Sequence, residues 1–306
     1  MVKPAVVPSG ARVAVVAPAS NAKIDRIEGG VAALKKYGFD VALGSHATGK
    51  AVPYFAGTVE DRLEDLHAAF ADPEIEAIFC TRGGYGANYL LEDLDLELIG
   101  QNPKPLFGYS DLTVVQTWLL DELGLVGFHG PMVAADFYRE GGIDEASFAD
   151  ALNGGKVTAA APQGLRILRP GRAQGMMHGG CLSMLVSMLG THFTPQTEGR
   201  LLFLEDVGAK PYQIDRMLRQ MVLAGKFDGV TGFIFGEMLE CVSPGANPHL
   251  LDEVILSVLD WFDGPIAIGL RSGHVSRGNV TLPLGIEAEL VAEDEPVLRY
   301  LEAAVS

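Results

Sequence analysis

The sequence predicts an α/β protein whose first half is a mostly parallel sheet and whose second half is a β-rich mixed α/β unit. Two observations carry this. Over residues 1–150, short β-branched runs alternate with helical periodicity, the signature of repeated βα units with helices on both faces of a sheet. From about 151 to 175 that pattern dissolves into NGGKVTAAAPQGLRILRPGRAQG, and past Gly264 only short strands and turns follow. We read 1–150 as an N-terminal domain and 176–306 as a C-terminal domain. Residues 151–175 are a linker or edge strands crossing between the two. A chain of 306 residues is long enough for two cores or one large one.

The elements follow in order. Arg12–Pro18 is a short buried strand ending at a turn residue. Lys23–Tyr37 has apolar residues at helical spacing and stops at Gly38. Phe39–Leu43 is a second strand. Thr58–Phe70 is an amphipathic helix with Thr58 as N-cap and Asp61 in its first turn. Glu76–Cys80 is a third strand, leading into TRGGYGA. Lys104–Tyr109 is a fourth, Leu112–Leu123 a helix, and Leu125–Phe128 begins a fifth strand. In the second half, Leu201–Leu204 is a strand ending at Glu205 and Asp206. Pro211–Ala224 is a helix with Pro at its first position. Gly232–Gly236 is a strand and His249–Trp261 a helix. GPIAIGL, NVTLPLG, IEAELV and PVLRYL close the chain as short strands.

Composition narrows the function. Hydrophobic residues make up 48% and charged residues 20%, a globular balance that sets disorder aside. The net charge of −16 repels phosphate backbones and argues against a nucleic-acid partner or a basic membrane-surface helix. No run of about 18 apolar residues occurs, so no membrane span is expected. The N-terminal apolar run is broken by Pro4, Pro8 and Gly10, so no signal peptide is expected either. The three cysteines are far apart and form no CxxC pair, which argues against a disulfide framework or zinc ribbon. A reducing, cytoplasmic location fits.

Ser110 is the nucleophile candidate. It falls where the apolar strand PLFGY stops and a helix begins, at the carboxyl end of a strand, where α/β sheets place ligands. A helix start there supplies free N–H groups and the positive end of a dipole. The nucleophile elbow of hydrolases uses the same geometry, although G-Y-S-D-L lacks the second glycine of that pattern. A helix N-cap is the plainer reading of the same serine. In TRGGYGANY, Gly83, Gly84 and Gly86 let the backbone approach a ligand, as half of an oxyanion hole or simply as a tight turn. A phosphate cradle fits less well, because the lysine and hydroxyl of a P-loop are missing. Cys80 also ends a strand and is a rival nucleophile.

A serine nucleophile needs a base, and the base an orienter. Of seven histidines, His274 stands out because LRSGHVSRGN is a Gly/Ser-rich loop between strands. His129 either lines the cleft or packs, and His178 faces the domain junction. His46, His67, His192 and His249 read as surface, loop or helix-start residues. Glu205 ends an apolar strand, where an ionised carboxylate needs a partner. Asp206 is the alternative, since strand alternation turns only one of the two inward.

Taken together, FCTRGGYGANYLL, LFGYSDLT, LLFLEDVGAKPYQIDRMLRQM and SGHVSRGNVTLPLG closely resemble the LD-carboxypeptidase family, the serine peptidases that include the microcin-C-resistance enzymes. The resemblance runs over nearly the whole chain. It implies a flavodoxin-like N-terminal domain carrying Ser110 and a β-rich C-terminal domain carrying Glu205 and His274. It implies an oxyanion hole from the N–H groups of Gly83, Gly84 and Asp111. It also implies a homodimer and a murein peptide substrate, with no metal and no cofactor. Arg82 and Arg271 flank the two active loops and are candidates for binding the terminal carboxylate, or plain surface residues. One departure is Cys181 in HGGCLSML, where family members often carry asparagine. Two alternatives stay open: hydrolysis of a peptidyl or aminoacyl nucleotide, and a flavodoxin-like small-molecule binding module with no catalysis. The nucleotide substrate would call for an aromatic platform, and Trp118 and Trp261 both fall in expected helices.

Overall fold

The apolar runs of the first half become parallel strands in a computed structural model, which describes residues 1–49 and 51–306. Arg12–Val16 lies between Asp40–Leu43 and Ala77–Cys80, and Leu106–Gly108 and Gly127–His129 follow outward, all parallel. Counted along the chain, the spatial order is second, first, third, fourth, fifth, as in flavodoxin-like sheets. The strands Ala77–Cys80 and Gly127–His129 are buried throughout, which is why they read as unbroken apolar runs. A sixth strand, Leu282–Leu284, pairs antiparallel with Gly127–His129 and closes that edge, although it comes from far along the chain.

The expected helices form within one or two residues of their reading, as Ile24–Lys36, Val59–Ala71, Thr113–Leu123, Pro211–Leu223 and Leu250–Val258, except that the last ends at Val258, three residues short. Thr58 caps its helix reciprocally: its Oγ1 accepts from the Asp61 N–H at 3.2 Å, and Asp61 Oδ2 accepts from the Thr58 N–H at 2.9 Å. Three short helices, Leu96–Gln101, Glu145–Asn153 and Leu182–Ser187, had no counterpart in the sequence reading. They are too short for periodicity to register. The first two are started by Asp95 and Asp144, each accepting a backbone N–H at 2.9 Å.

The second sheet has eight strands, in the order Thr158–Ala160, Val297–Tyr300, Glu287–Ala292, Gly171–Cys181, Arg200–Glu205, Gly232–Gly236, Ile266–Leu270, Arg166–Arg169. Its four strands from Gly171–Cys181 to Ile266–Leu270 are parallel, and antiparallel strands flank them on both sides. Within 151–175, Thr158–Ala160 and Arg166–Arg169 thus form opposite edges of one sheet. A single buried cluster joins Phe79, Phe107 and Phe128 of the first sheet to Met177, Phe203 and Leu290 of the second. This shared apolar core fixes the carboxyl ends of the two parallel sets against each other. Among the described residues, no helix is long and apolar enough to cross a membrane.

Candidate active site

Ser110 adopts φ +64°, one of three non-glycine residues with positive φ among the described residues. The strand Leu106–Gly108 runs into an extended Tyr109, and the chain then reverses into a short 3-10 turn and the helix Thr113–Leu123. A left-handed serine costs about 1–2 kcal/mol, so the fold holds it there at a cost. The capping alternative is not what forms, because neither the 3-10 turn nor the following helix takes a side-chain cap.

The Gly83–Gly84 turn packs directly on this serine. A Cβ at Gly83 would stand 2.7 Å from Ser110 Cβ, 2.9 Å from its Oγ and 3.1 Å from the Asp111 nitrogen. Glycine leaves room there for the turn to lie against the serine and the Asp111 nitrogen. Gly84 has φ +111°, again open to glycine alone. Two buried side chains hold the turn. Asp111 Oδ2 accepts from the Ala87 N–H at 2.7 Å, and burial pushes its carboxyl above the usual range against that bond and the nearby Arg62 charge. Arg62, 1% exposed, donates to the carbonyls of Pro18 at 2.9 Å, Gly86 at 2.7 Å and Thr58 at 3.1 Å. Arg62 escaped the sequence reading, where it looked like an ordinary polar position of an amphipathic helix.

Glu205 ends its strand fully buried, with Oε2 2.8 Å from His274 Nδ1 and 3.1 Å from the His274 backbone nitrogen. Asp206 instead accepts the N–H groups of Ser183 at 2.9 Å and Val207 at 2.8 Å. Strand alternation thus turns Glu205 to the histidine and leaves Asp206 tying local backbone. Burial alone would push the Glu205 carboxyl up, but the His274 charge and hydrogen bonds outweigh it and the net shift is downward. Burial likewise pulls the His274 imidazole down, and its attraction to Glu205 outweighs this and raises it above the ordinary 6.5. Both shifts favour an ionised Glu205 beside a readily protonated His274.

The His274 loop is itself held. Gly273 has φ +87°, and a Cβ there would stand 2.6 Å from Glu205 Cδ and 2.8 Å from His129 Nε2. Asn279 brackets this glycine, accepting its N–H at 3.0 Å and donating to its carbonyl at 3.2 Å. His129 is buried behind the pair, and burial pulls its imidazole down to about 4, so it is neutral. His178 is buried against Asp121 at 3.0 Å, away from the cleft. Cys80 is buried, and burial pushes its thiol up, which disfavours a thiolate nucleophile there.

Ser110 and His274 line one cleft of about 250 Å³ together with Gly83, Gly84, Arg82, Tyr109 and, unanticipated, Lys23 and Arg26. Arg271 is elsewhere: its guanidinium donates to the Pro162 carbonyl, and its Nε is buried. A larger cavity of about 670 Å³ lies between the helix Ile24–Lys36 and residues 136–143, but it contains neither the serine nor the histidine. Cys181 Sγ, Glu205 and His274 offer donor atoms within 4.8 Å of one another, a set that a thiophilic divalent ion could use. The Cys181 thiol is pushed well up by burial, and the other two donors are already bonded to each other. Neither tryptophan lines the cleft, but Tyr54, Phe55, Tyr85 and Tyr89 cluster beside the Gly83–Gly84 turn with ring centroids 4.6–6.0 Å apart.

Comparison with known proteins bears on this arrangement. Residues 13–130 match the family model of the LD-carboxypeptidase N-terminal domain, and residues 174–290 that of the LD-carboxypeptidase C-terminal domain. The chain belongs to the LD-carboxypeptidase family. It is 35% identical to the "Probable murein peptide carboxypeptidase" of Bacillus subtilis, over 99% of this chain and 95% of that one. It is 33% identical to the murein tetrapeptide carboxypeptidase of Pseudomonas aeruginosa, over 92% and 94%. Its fold superposes on the microcin C7 self immunity protein MccF with a TM-score of 0.92 at 26% identity, covering both chains fully. The protein is thus an enzyme of the serine-type LD-carboxypeptidases.

Proposed function

We propose that this LD-carboxypeptidase releases the terminal D-Ala of a murein tetrapeptide by cutting the amide at the L-centre of meso-diaminopimelate. Ser110 acts as nucleophile, His274 as general base and Glu205 as its orienter. The observation that carries this is the left-handed Ser110 in the same cleft as a histidine ion-paired to a buried carboxylate. The serine comes from residues 1–150 and the other two from 176–306.

The chemistry follows from these positions. His274 Nε2 takes the Ser110 proton as Oγ bonds to the scissile carbonyl carbon. The carbonyl π pair moves to its oxygen, where the N–H groups of Gly83, Gly84 and Asp111 receive it. Glu205 holds Nδ1–H and stabilises the imidazolium. Collapse breaks the C–N bond, and the imidazolium returns its proton to the departing amine of D-Ala. Water then repeats the sequence on the acyl-enzyme. Arg82, on the turn beside Ser110, pairs with the terminal carboxylate; Arg271, turned to Pro162, does not.

A second reading is supported by the tyrosine cluster, a surface on which a nucleobase could stack as in hydrolysis of an aminoacyl sulfamoyl adenylate. The test is mass spectrometry of D-Ala release from L-Ala-γ-D-Glu-meso-diaminopimelate-D-Ala, with the sulfamoyl adenylate in parallel. D-Ala release that Ser110→Ala abolishes, with fluorophosphonate labelling of the native serine, is the expected result. Near-native turnover by Ser110→Ala sinks the assignment. A chain that hydrolyses neither compound and takes no label is a binding module.

A further inference from the structure

The cleft around Ser110 is charged against the grain of the molecule. The chain has 39 acidic and 23 basic residues and a net charge of −16. Yet the cleft is lined by Lys23, Arg26 and Arg82 and, among the described residues, by no carboxylate. Asp25 and Glu28 share the helix of Arg26 but lie outside the lining. The buried carboxylates behind the lining are each engaged: Glu205 with His274 at 2.8 Å, Asp136 with Arg139 at 2.9 Å, and Asp111 with the Ala87 N–H at 2.7 Å. An acidic surface repels an anionic ligand, so a local cationic cleft is what an anionic ligand needs to dwell there.

The three cations are free to serve it. Lys23 and Arg26 are exposed, and the Arg26 guanidinium lies 5.5 Å from the centre of the Tyr138 ring, which orients it without consuming its donors. Arg82 reaches over the oxyanion turn, its Nη2 3.4 Å from where a Cβ of residue 84 would stand. One terminal carboxylate occupies Arg82 and leaves two cations unmatched.

We infer that Lys23 and Arg26 bind a second, non-terminal carboxylate of the peptide, so that the enzyme selects stems whose acidic groups are free rather than amidated. The inference rests on the peptide reading of the site. The tetrapeptide offers two such groups, the α-carboxylate of D-Glu and the distal carboxylate of meso-diaminopimelate. They share one chemistry, and amidating each separately tells them apart.

The experiment is calorimetric binding to Ser110→Ala enzyme of the free tetrapeptide and of its two singly amidated forms. The comparison is repeated in the Lys23→Gln/Arg26→Gln background, which changes exposed side chains only. One amidation is expected to weaken binding about tenfold, the scale of one charge-assisted contact in a partly wet cleft. The double substitution is expected to weaken the free peptide equally and erase the difference. Discrimination that survives the double substitution overturns the inference, as does equal binding of all three peptides or no binding of any. Failure of the function itself reads differently: native enzyme then releases no D-Ala while the binding differences persist.

Discussion

Ser110 offers a direct test of whether its backbone is held at a cost. At φ +64° a residue with a Cβ loses about 1–2 kcal/mol relative to the right-handed region. Glycine escapes that loss but forfeits about 0.5–1 kcal/mol of chain entropy on folding. Ser110→Gly is therefore expected to change stability by about 0 to 1.5 kcal/mol in favour of the fold. For 306 residues unfolding at roughly 2.1 cal/mol/K each, the melting entropy is about 0.6 kcal/mol/K, so Tm rises by up to about 2 °C. Ser110→Ala removes the same hydroxyl but keeps the Cβ, and its Tm is expected to stay at the native value. Both variants are expected to lose the proposed D-Ala release. Scanning calorimetry of the three proteins side by side reads the difference. A Ser110→Gly melting point below native refutes the strain, and an equal rise in Ser110→Ala assigns the gain to the hydroxyl instead.

Further expectations follow from the same geometry. Glu205→Gln removes the charge that raises His274, so kcat is expected to fall on the order of 10³–10⁴-fold and the acid limb of kcat/KM to move to lower pH; an unmoved limb would contradict the pairing. In the native enzyme that limb lies above pH 6.5, because the neutral imidazole is the base and its pKa is raised. Stability has the opposite sign. The pair stabilises fully between the ordinary values of 4.5 and 6.5, and its contribution fades as pH rises through the raised His274 pKa or falls through the lowered Glu205 pKa; Tm against pH in native and Glu205→Gln proteins checks this. Gly83→Ala drives a methyl to 2.7 Å from Ser110 Cβ, and activity is expected to drop about 100-fold or more while the overpacking costs about 1–3 kcal/mol, read as a lower Tm. Arg62→Met strands three backbone carbonyls and should cost about 2–4 kcal/mol in urea unfolding.

The sequence showed most where chemistry is written locally. Ser110, Gly83, Glu205 and His274 all stand at strand ends or in glycine-rich loops, so residue type and position together marked them. It put Glu205 first and kept Asp206 as the alternative, because only the strand's facing separates two adjacent carboxylates. It could not place Lys23 or Arg26, because a cation at a helix start reads as a solvated one until the neighbouring loops are in view. Arg271 shows the converse: it adjoins the active loop in sequence, but its guanidinium turns to the Pro162 carbonyl and stands outside the cleft lining. Searching for tryptophan alone also missed the tyrosine cluster, which two separate segments assemble. The strand Leu282–Leu284 was recognised, but nothing in NVTLPLG tells which sheet it joins. Pro283 fits an edge, having no N–H to give to a further strand.

That strand changes how the molecule can be taken apart. The loop bearing His274 leaves one sheet at Leu270 and enters the other at Leu282, so that histidine is slung between the two like a cable between piers. Moving the halves apart would unzip Leu282–Leu284 from Gly127–His129 before the histidine could drift from the serine. The same stitch means that a C-terminal half grafted from a relative arrives as a foreign edge strand, and such chimeras depend on the match at Gly127–His129 before they depend on any active-site residue.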